Sequence, residues 1–462
     1  MPSPKAQAPR AELLRQLGFF SSTALVISNM IGAGIFATTG IMAGDLGSGR
    51  LILACWSVGA LFALAGALSY SELGINFPSS GGEYVYLTNA YGPEWGFMTG
   101  WVSFFAGFSA PIAAAALAFS DYLGHFFPSL RAEHASLVIG SGALSLRLGP
   151  GQLVASILIA AFTLLNCFGV ARVAKVQNVL TATKVVVIAG FVILGFAVGH
   201  GNWQHFSEPA VRTSTISLPA QFIVSLLWVM FGYSGWNAAT YVAEEVRRPE
   251  RTLPAALATG SAIVAALYLG LNLVVIYSTP LEQMKGEIAI GSLAASNLFG
   301  PGPAGLFSAL MALSIVATVS AEVTIGPRVY YAMAKNRAFF SAAASVHPRW
   351  HTPVVAILSQ GLFAMLMTLT PFPDLVIYIG FSLTLFTVLS VGSVFIFRRK
   401  RPGWQRLRAL NFAWPLIPAL YILVGAVMMA YGVATHPIAS LTALATVGAG
   451  ALVYHVRRPA DN

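Results

Sequence analysis

The sequence predicts an all-α integral membrane protein with twelve transmembrane helices. The first and sixth are broken, and the spans form two inverted repeats of five followed by a pair. Three observations predict this. Only 9% of residues are charged and 56% are hydrophobic, with a mean hydropathy of +0.74, whereas a soluble domain carries roughly 25% charged residues. Twelve apolar stretches approach the ~20 residues needed to cross a bilayer, and none alternates as membrane-barrel strands do. Two of these stretches, about two hundred residues apart, are interrupted by glycine-rich segments.

Taken in order, the stretches are 19–44, 51–71, 95–119, 152–170, 180–199, 218–242, 255–278, 304–333, 353–370, 375–397, 412–434 and 437–456. The first is interrupted by Asn29-Met30-Ile31-Gly32-Ala33-Gly34-Ile35-Phe36 and the sixth by Phe231-Gly232-Tyr233-Ser234-Gly235-Trp236-Asn237. Glycine favours chain turns and close approach, so each helix can unwind in mid-span. Matching spans one to five with six to ten, 19–199 with 218–397, puts the breaks on the first helix of each half. An odd number of spans per half inverts the second copy. Spans eleven and twelve, 412–456, are an appendage, and short tails at 1–18 and 457–462 flank the whole. The segment 72–94 between spans two and three holds Glu72 and Glu83 and suits a short interfacial helix, while the longest loops are 121–151 and 279–303.

Charge sets the orientation. With the N-terminus inside, twenty of the 26 Lys and Arg fall on the cytoplasmic side and five outside, which satisfies the positive-inside rule with both termini cytoplasmic. The net charge of +10 therefore calls for no nucleic acid. The run Arg398–Arg401 is expected to sit against anionic headgroups. Both cysteines, Cys55 and Cys167, lie within spans, so no loop disulfide is available. The basic N-terminus leads into a full-length span without a small-residue cleavage site and reads as retained.

Unwound backbone at membrane depth survives only in protein or beside a water-filled cavity, and paired breaks in two halves point to a transport site near the midplane. After the first break, the amides near Ala33, Gly34 and Ile35 form a helix N-terminus that suits a carboxylate. The carbonyls of Met30 and Phe231 end the preceding helices and suit an ammonium. A carboxylate and an ammonium one residue apart describe an α-amino acid. The candidate site is thus Met30, Ile31, Gly32, Ala33 and Gly34 with Trp228, Phe231, Gly232, Ser234 and Asn237. Spans one, three and six place no carboxylate near it, which favours neutral substrates. In span three, Gly107, Ala110 and Pro111 are small, and Phe104, Phe105 and Phe108 stand beside them.

Lys184 and Glu322 are the most deeply placed ionisable residues, and intramembrane charges mark function by default. Both lie some 8–10 Å inside the cytoplasmic edge at ~1.5 Å per residue. They are expected to share a proton or a salt bridge, as a coupling pair or as a fixed structural one. The histidines show no metal spacing, and no phosphate-binding loop, nucleophile elbow or Cys-x-x-Cys is present, so no cofactor, metal or enzymatic activity is implied.

The motifs Ile31-Gly32-Ala33-Gly34-Ile35-Phe36 and Phe231-Gly232-Tyr233-Ser234-Gly235-Trp236-Asn237, the stretch 241–254, Tyr70–Gly74, Ser80–Tyr84 and 320–331 resemble the amino acid–polyamine–organocation superfamily. Within it the chain is most similar to bacterial relatives of the L-type amino acid transporters. The resemblance covers roughly residues 18–400. It implies a leucine-transporter-type five-plus-five repeat with Gly32, Ala33 and Gly34 around the substrate carboxylate, the Phe231 ring as a gate and Asn237 as a polar wall. Many relatives carry Gly-Ser-Gly where this chain has Gly32-Ala33-Gly34, so one hydroxyl is missing. Lys184 matches a fifth-span lysine that stands in for sodium in sodium-coupled cousins, tying span one to span eight.

Together these readings predict a sodium-independent carrier of neutral L-amino acids in a bacterial inner membrane, either exchanging or proton-coupled. The chain is expected to be a monomer or homodimer without a disulfide-linked heavy chain. The rival reading is a carrier of cationic amino acids or polyamines, which requires an acid in the pocket.

Overall fold

A computed structural model describes residues 15, 17–79, 81–140, 145–168, 170–335, 338–350 and 352–457. The tails expected at 1–18 and 457–462 lie largely outside this set, as do Ser80 and Arg337 and the side chains of Arg172 and Lys175. Among the described residues, nine helices are long and apolar enough to cross a membrane, or ten when the bent pair Phe19–Met30 and Ala33–Leu46 counts as one span. The remaining two expected segments appear as shorter apolar helices, Ala182–Ala197 and Val354–Met367. The interfacial helix expected after span two is Glu83–Tyr91.

Both glycine-rich segments break their helices. The first break is Ile31 and Gly32, whose extended backbone bends the flanking helices by 40°. At the second, Leu218–Tyr233 ends in an extended Ser234, and Gly235 with φ +93° turns the chain into a 3-10 helix over Ala238–Glu245. A glycine is essential at only some of these positions. Gly32 has φ −126°, which any residue adopts, and a Cβ there would meet Thr318 Cγ2 at 3.4 Å. A Cβ on Gly34, by contrast, would fall 2.5 Å from Gly232 Cα. The two broken helices thus press together backbone to backbone at Gly34 and Gly232.

Around this contact the helices sort into two groups. Pro249–Ser278 runs along Gly49–Asn76 and Phe19–Met30, and Leu218–Tyr233 packs on Ala33–Leu46 and Gly49–Asn76. In the other group, Pro301–Lys335 packs on Ala110–Leu123 and Val354–Met367, and Pro150–Cys167 packs on Ala110–Leu123 and Val354–Met367.

The loop 121–151 contains a two-stranded hairpin, Leu137–Ile139 with Leu146–Leu148. Hydropathy gives no sign of so short an element. The segment 279–303 forms helices Leu281–Met284 and Ile290–Phe299, which dock on Ala33–Leu46.

The cationic run at 398–401 departs from expectation. Arg398 turns inward and clamps the fully buried Glu72 with Nε at 2.7 Å and Nη2 at 2.6 Å, while Trp404 Nε1 and the Leu407 amide donate to the same carboxylate. Arg401 lies over the Phe77 ring at 4.6 Å. Arg399, Lys400 and Arg401 stay exposed at the surface. Arg398 turns in because a carboxylate buried at the end of Gly49–Asn76 requires a charged, hydrogen-bonded partner.

Two outcomes follow. Gly34→Ala forces two backbones apart and should destabilise by about 1–3 kcal/mol, as overpacking does, with loss of transport. Gly32→Ala should be tolerated, and thermal unfolding in detergent compares them. Arg398→Ala strands a buried charge, at a cost of roughly 3–5 kcal/mol. The double variant Arg398→Met with Glu72→Gln should recover much of that loss in the same assay.

Candidate substrate site

At the first break the freed polar groups are claimed by neighbouring helices. Met30 O accepts Tyr268 Oη at 2.6 Å. Ile31 O accepts Lys184 Nζ at 2.8 Å, and Nζ also reaches Thr318 Oγ1 at 3.0 Å. Lys184 is 1% exposed. The expected bridge from span five to spans one and eight is therefore present as hydrogen bonds. The expected salt bridge is not: among the described residues Lys184 forms no ion pair with Glu322. Glu322 sits one turn beyond Thr318 on the same helix, and its Oε2 has no hydrogen-bond partner among the described residues. A backbone carbonyl of the unwound segment and the Thr318 hydroxyl of span eight outcompete the carboxylate for the amine.

The helix Ala33–Leu46 starts with no side-chain cap, so its first amides are not taken by a capping side chain. At the second break Phe231 O accepts the Ser234 amide at 3.2 Å and Ser234 Oγ at 2.8 Å. The carbonyls expected to hold an ammonium thus have internal donors: Met30 O retains a second lone pair, whereas both of Phe231 O are taken by Ser234.

A cavity of about 140 Å³ begins beside these breaks. Of the predicted residues it brings together Ser234 and Asn237. Met30, Ile31, Gly32, Ala33, Gly34, Trp228, Phe231 and Gly232 do not line it, because Gly34 and Gly232 are in contact and close the junction at their level. Trp228 is buried with Nε1 unpartnered among the described residues, whereas Trp236 lines the cavity and packs edge-on against Tyr70 at 4.7 Å. Asn29, Thr99, Ser103, Ser382, Thr384 and Thr387 add polar surface.

The cavity faces the end of the bundle that carries Glu83–Tyr91. At the other end, Tyr122 Oη donates to Phe36 O at 2.9 Å and accepts the Gly291 amide at 3.1 Å. The Gly286 amide donates to Gly40 O at 3.0 Å, so the segment from Leu281 to Phe299 seals that side.

Two carboxylates reach the cavity, Glu83 and Glu322, which corrects the expectation of an acid-free site. Spans one, three and six supply none, as read, but the acids arrive from the interfacial helix and from span eight. Glu83 is buried, and three donors converge on it. Tyr70 Oη lies 3.0 Å from Oε1, Asn237 Nδ2 donates to Oε1, and Tyr241 Oη donates to Oε2. Burial pushes the Glu83 carboxyl up from the ordinary carboxylate value, and the hydrogen bonds from Tyr241, Tyr70 and Asn237 pull it back towards the ionised form. No sequence signal shows that a loop glutamate folds back under span six.

The wall contributed by span three is a π-helix over Ser103–Ser109, with Ser103, Gly107 and Phe108 in the cavity lining. Such bulges concentrate at functional sites. A signal exists here: Pro111 has no N–H to give to Gly107, four residues earlier.

Broken helices that meet in mid-bundle, with a partly polar cavity open to one end and sealed at the other, define a multi-pass membrane transporter. The chain belongs to the amino acid permease family, whose sequence pattern fits residues 17–452. It is 31% identical to the serine/threonine exchanger SteT of Bacillus subtilis, over 89% of each chain. It is 27% identical to the human large neutral amino acids transporter small subunit 2, over 96% of this chain and 80% of that one. Against the human cystine/glutamate transporter it is 28% identical, over 93% and 82%. The protein is therefore an amino acid transporter of the amino acid–polyamine–organocation superfamily, not an enzyme.

Lys184→Ala leaves Ile31 O and Thr318 Oγ1 without their charged donor. Charge-assisted hydrogen bonds contribute roughly 1.5–3 kcal/mol each. The variant should reach the membrane yet transport at least about tenfold more slowly, by initial-rate uptake normalised to the amount of folded protein.

Proposed function

We propose that this chain exchanges small neutral L-amino acids across a bacterial cytoplasmic membrane by alternating access, independently of sodium. The observation that carries the reading is the cavity of about 140 Å³ beside the two breaks, where Ser103, Ser234, Asn237 and Thr387 stand among apolar side chains such as Val102, Phe108 and Met230. A volume on the order of 150 Å³ holds a benzene-sized molecule, so a serine-sized substrate fits. The name of the Bacillus relative agrees in size and polarity.

The uncapped amides from Ala33 to Ile35 would receive the carboxylate, and the second lone pair of Met30 O, with Phe231 O once Ser234 Oγ turns away, would receive the ammonium when Gly34 and Gly232 part. The Phe231 ring would then gate the site. Lys184, fixed on Ile31 O, supports sodium independence. That bridge also supports exchange, with Glu322 left as the residue to examine for proton coupling.

Twelve spans are proposed, counting Ala182–Ala197 and Val354–Met367, with repeats at 19–199 and 218–397, a final pair at 412–456 and both termini cytoplasmic. The two helix groups support the repeat, because each packing pair in one half has a counterpart five spans on. In that orientation the cavity faces the cytoplasm.

A second reading is favoured by Glu322, whose free oxygen could meet a cationic side chain. Glu83 adds little to that reading, since three protein donors already occupy its oxygens.

Labelled serine uptake into proteoliposomes separates these readings. Uptake should require internal amino acid, ignore sodium and a pH gradient, and resist excess arginine. Uptake into empty vesicles driven by an inward proton gradient would overturn exchange, and competition by arginine would establish the cationic reading.

A further inference from the structure

Asn237 is the one cavity-lining amide at the second break, and it is only 8% exposed. Its Nδ2 is committed: it donates to Glu83 Oε1 and to Tyr241 Oη at 3.3 Å. Its Oδ1 accepts no hydrogen bond among the described residues. A carboxylate that accepts from two tyrosine hydroxyls and an amide has no proton to offer, so the amide nitrogen must face Glu83 and the amide oxygen must face away. Glu83, which belongs to none of the broken helices, thus sets the polarity of the wall that Asn237 presents.

We infer that Glu83 is a positioning residue for substrate selection: it holds Asn237 with Oδ1 towards the cavity, as an acceptor for the side-chain hydroxyl of the substrate. This rests on the small-neutral-substrate reading and deepens it by naming the group recognised. A buried acceptor left unpaired disfavours the substrate that lacks the donor, so serine gains over alanine at this wall. In Glu83→Gln the new amide donates to Asn237 Oδ1, the asparagine turns over, and the cavity meets a donor instead. Tyr241, on the Oε2 side, keeps an acceptor in the carbonyl oxygen of the introduced side chain, and Tyr70, which shares the Oε1 side with Asn237, accepts the second proton of the new amide, so the packing is retained.

The test measures serine and alanine as competitors of labelled threonine exchange in proteoliposomes. Wild type should prefer serine. Glu83→Gln should lower that preference about tenfold, the value of one well-placed hydrogen bond, with alanine affinity changed less than about twofold. Tyr241→Phe, which removes a donor without releasing the amide, should keep the preference. Equal weakening of both competitors in Glu83→Gln, or an unchanged ratio, would overturn the inference by reducing Glu83 to a structural prop or a bystander. Should Glu83→Gln fail to reach the membrane, Asn237→Leu decides by the ratio of the two competitors: the serine preference must vanish, and a retained preference overturns the assignment. A wild type that exchanges none of the three amino acids would instead refute the substrate class on which the inference stands.

Discussion

A helix broken at membrane depth leaves backbone groups that water cannot reach, each costing several kcal/mol if unsatisfied. The rest of this molecule depends on how the break at Ile31 and Gly32 is satisfied. Tyr268 from the seventh span takes Met30 O, and Lys184 and Thr318 from the fifth and eighth take Ile31 O. Three helices are thereby pinned to one unwound point. The pinning groups come from both helix sets, so the break is also the joint between them. A moving transporter must loosen this joint in part while never leaving the carbonyls bare.

The second constraint is steric. Gly34 against Gly232 and Gly235 against Asn29 bring the two breaks together with no room for a Cβ. This explains why the cavity begins at Ser234 and Asn237 and not at the amides of the first break. The substrate groups assigned to that junction need it to open. The seal of Tyr122 and Gly291 on Ala33–Leu46 and the cavity at the opposite end describe one end state of that movement.

Much of this is legible in the sequence, for physical reasons that are easy to state. Hydropathy marks the spans because lipid admits few charges. Glycines mark both breaks because mid-helix glycine is costly without a use. Lys184 announces itself as a buried cation. What stays hidden is tertiary. Nothing local in Glu83 shows that it folds under Asn237 and Tyr241. Nothing in the run Arg398–Arg401 shows that its first arginine turns in to Glu72. Similar depth suggests pairing Lys184 with Glu322, yet depth does not fix direction, and the nearer carbonyl takes the amine. Gly32 and Gly34 look equivalent in the motif, although only Gly34 is required by contact.

The central claim is that substrate enters the cavity bounded by the second break. Thiol labelling of Ser234→Cys tests it most directly, in a background where the buried Cys55 and Cys167 are replaced by alanine. The account predicts that a membrane-permeant reagent modifies Ser234→Cys and that serine slows the reaction. Modification at an unchanged rate in saturating serine, by a protein that still exchanges it, would place the substrate elsewhere and contradict the account.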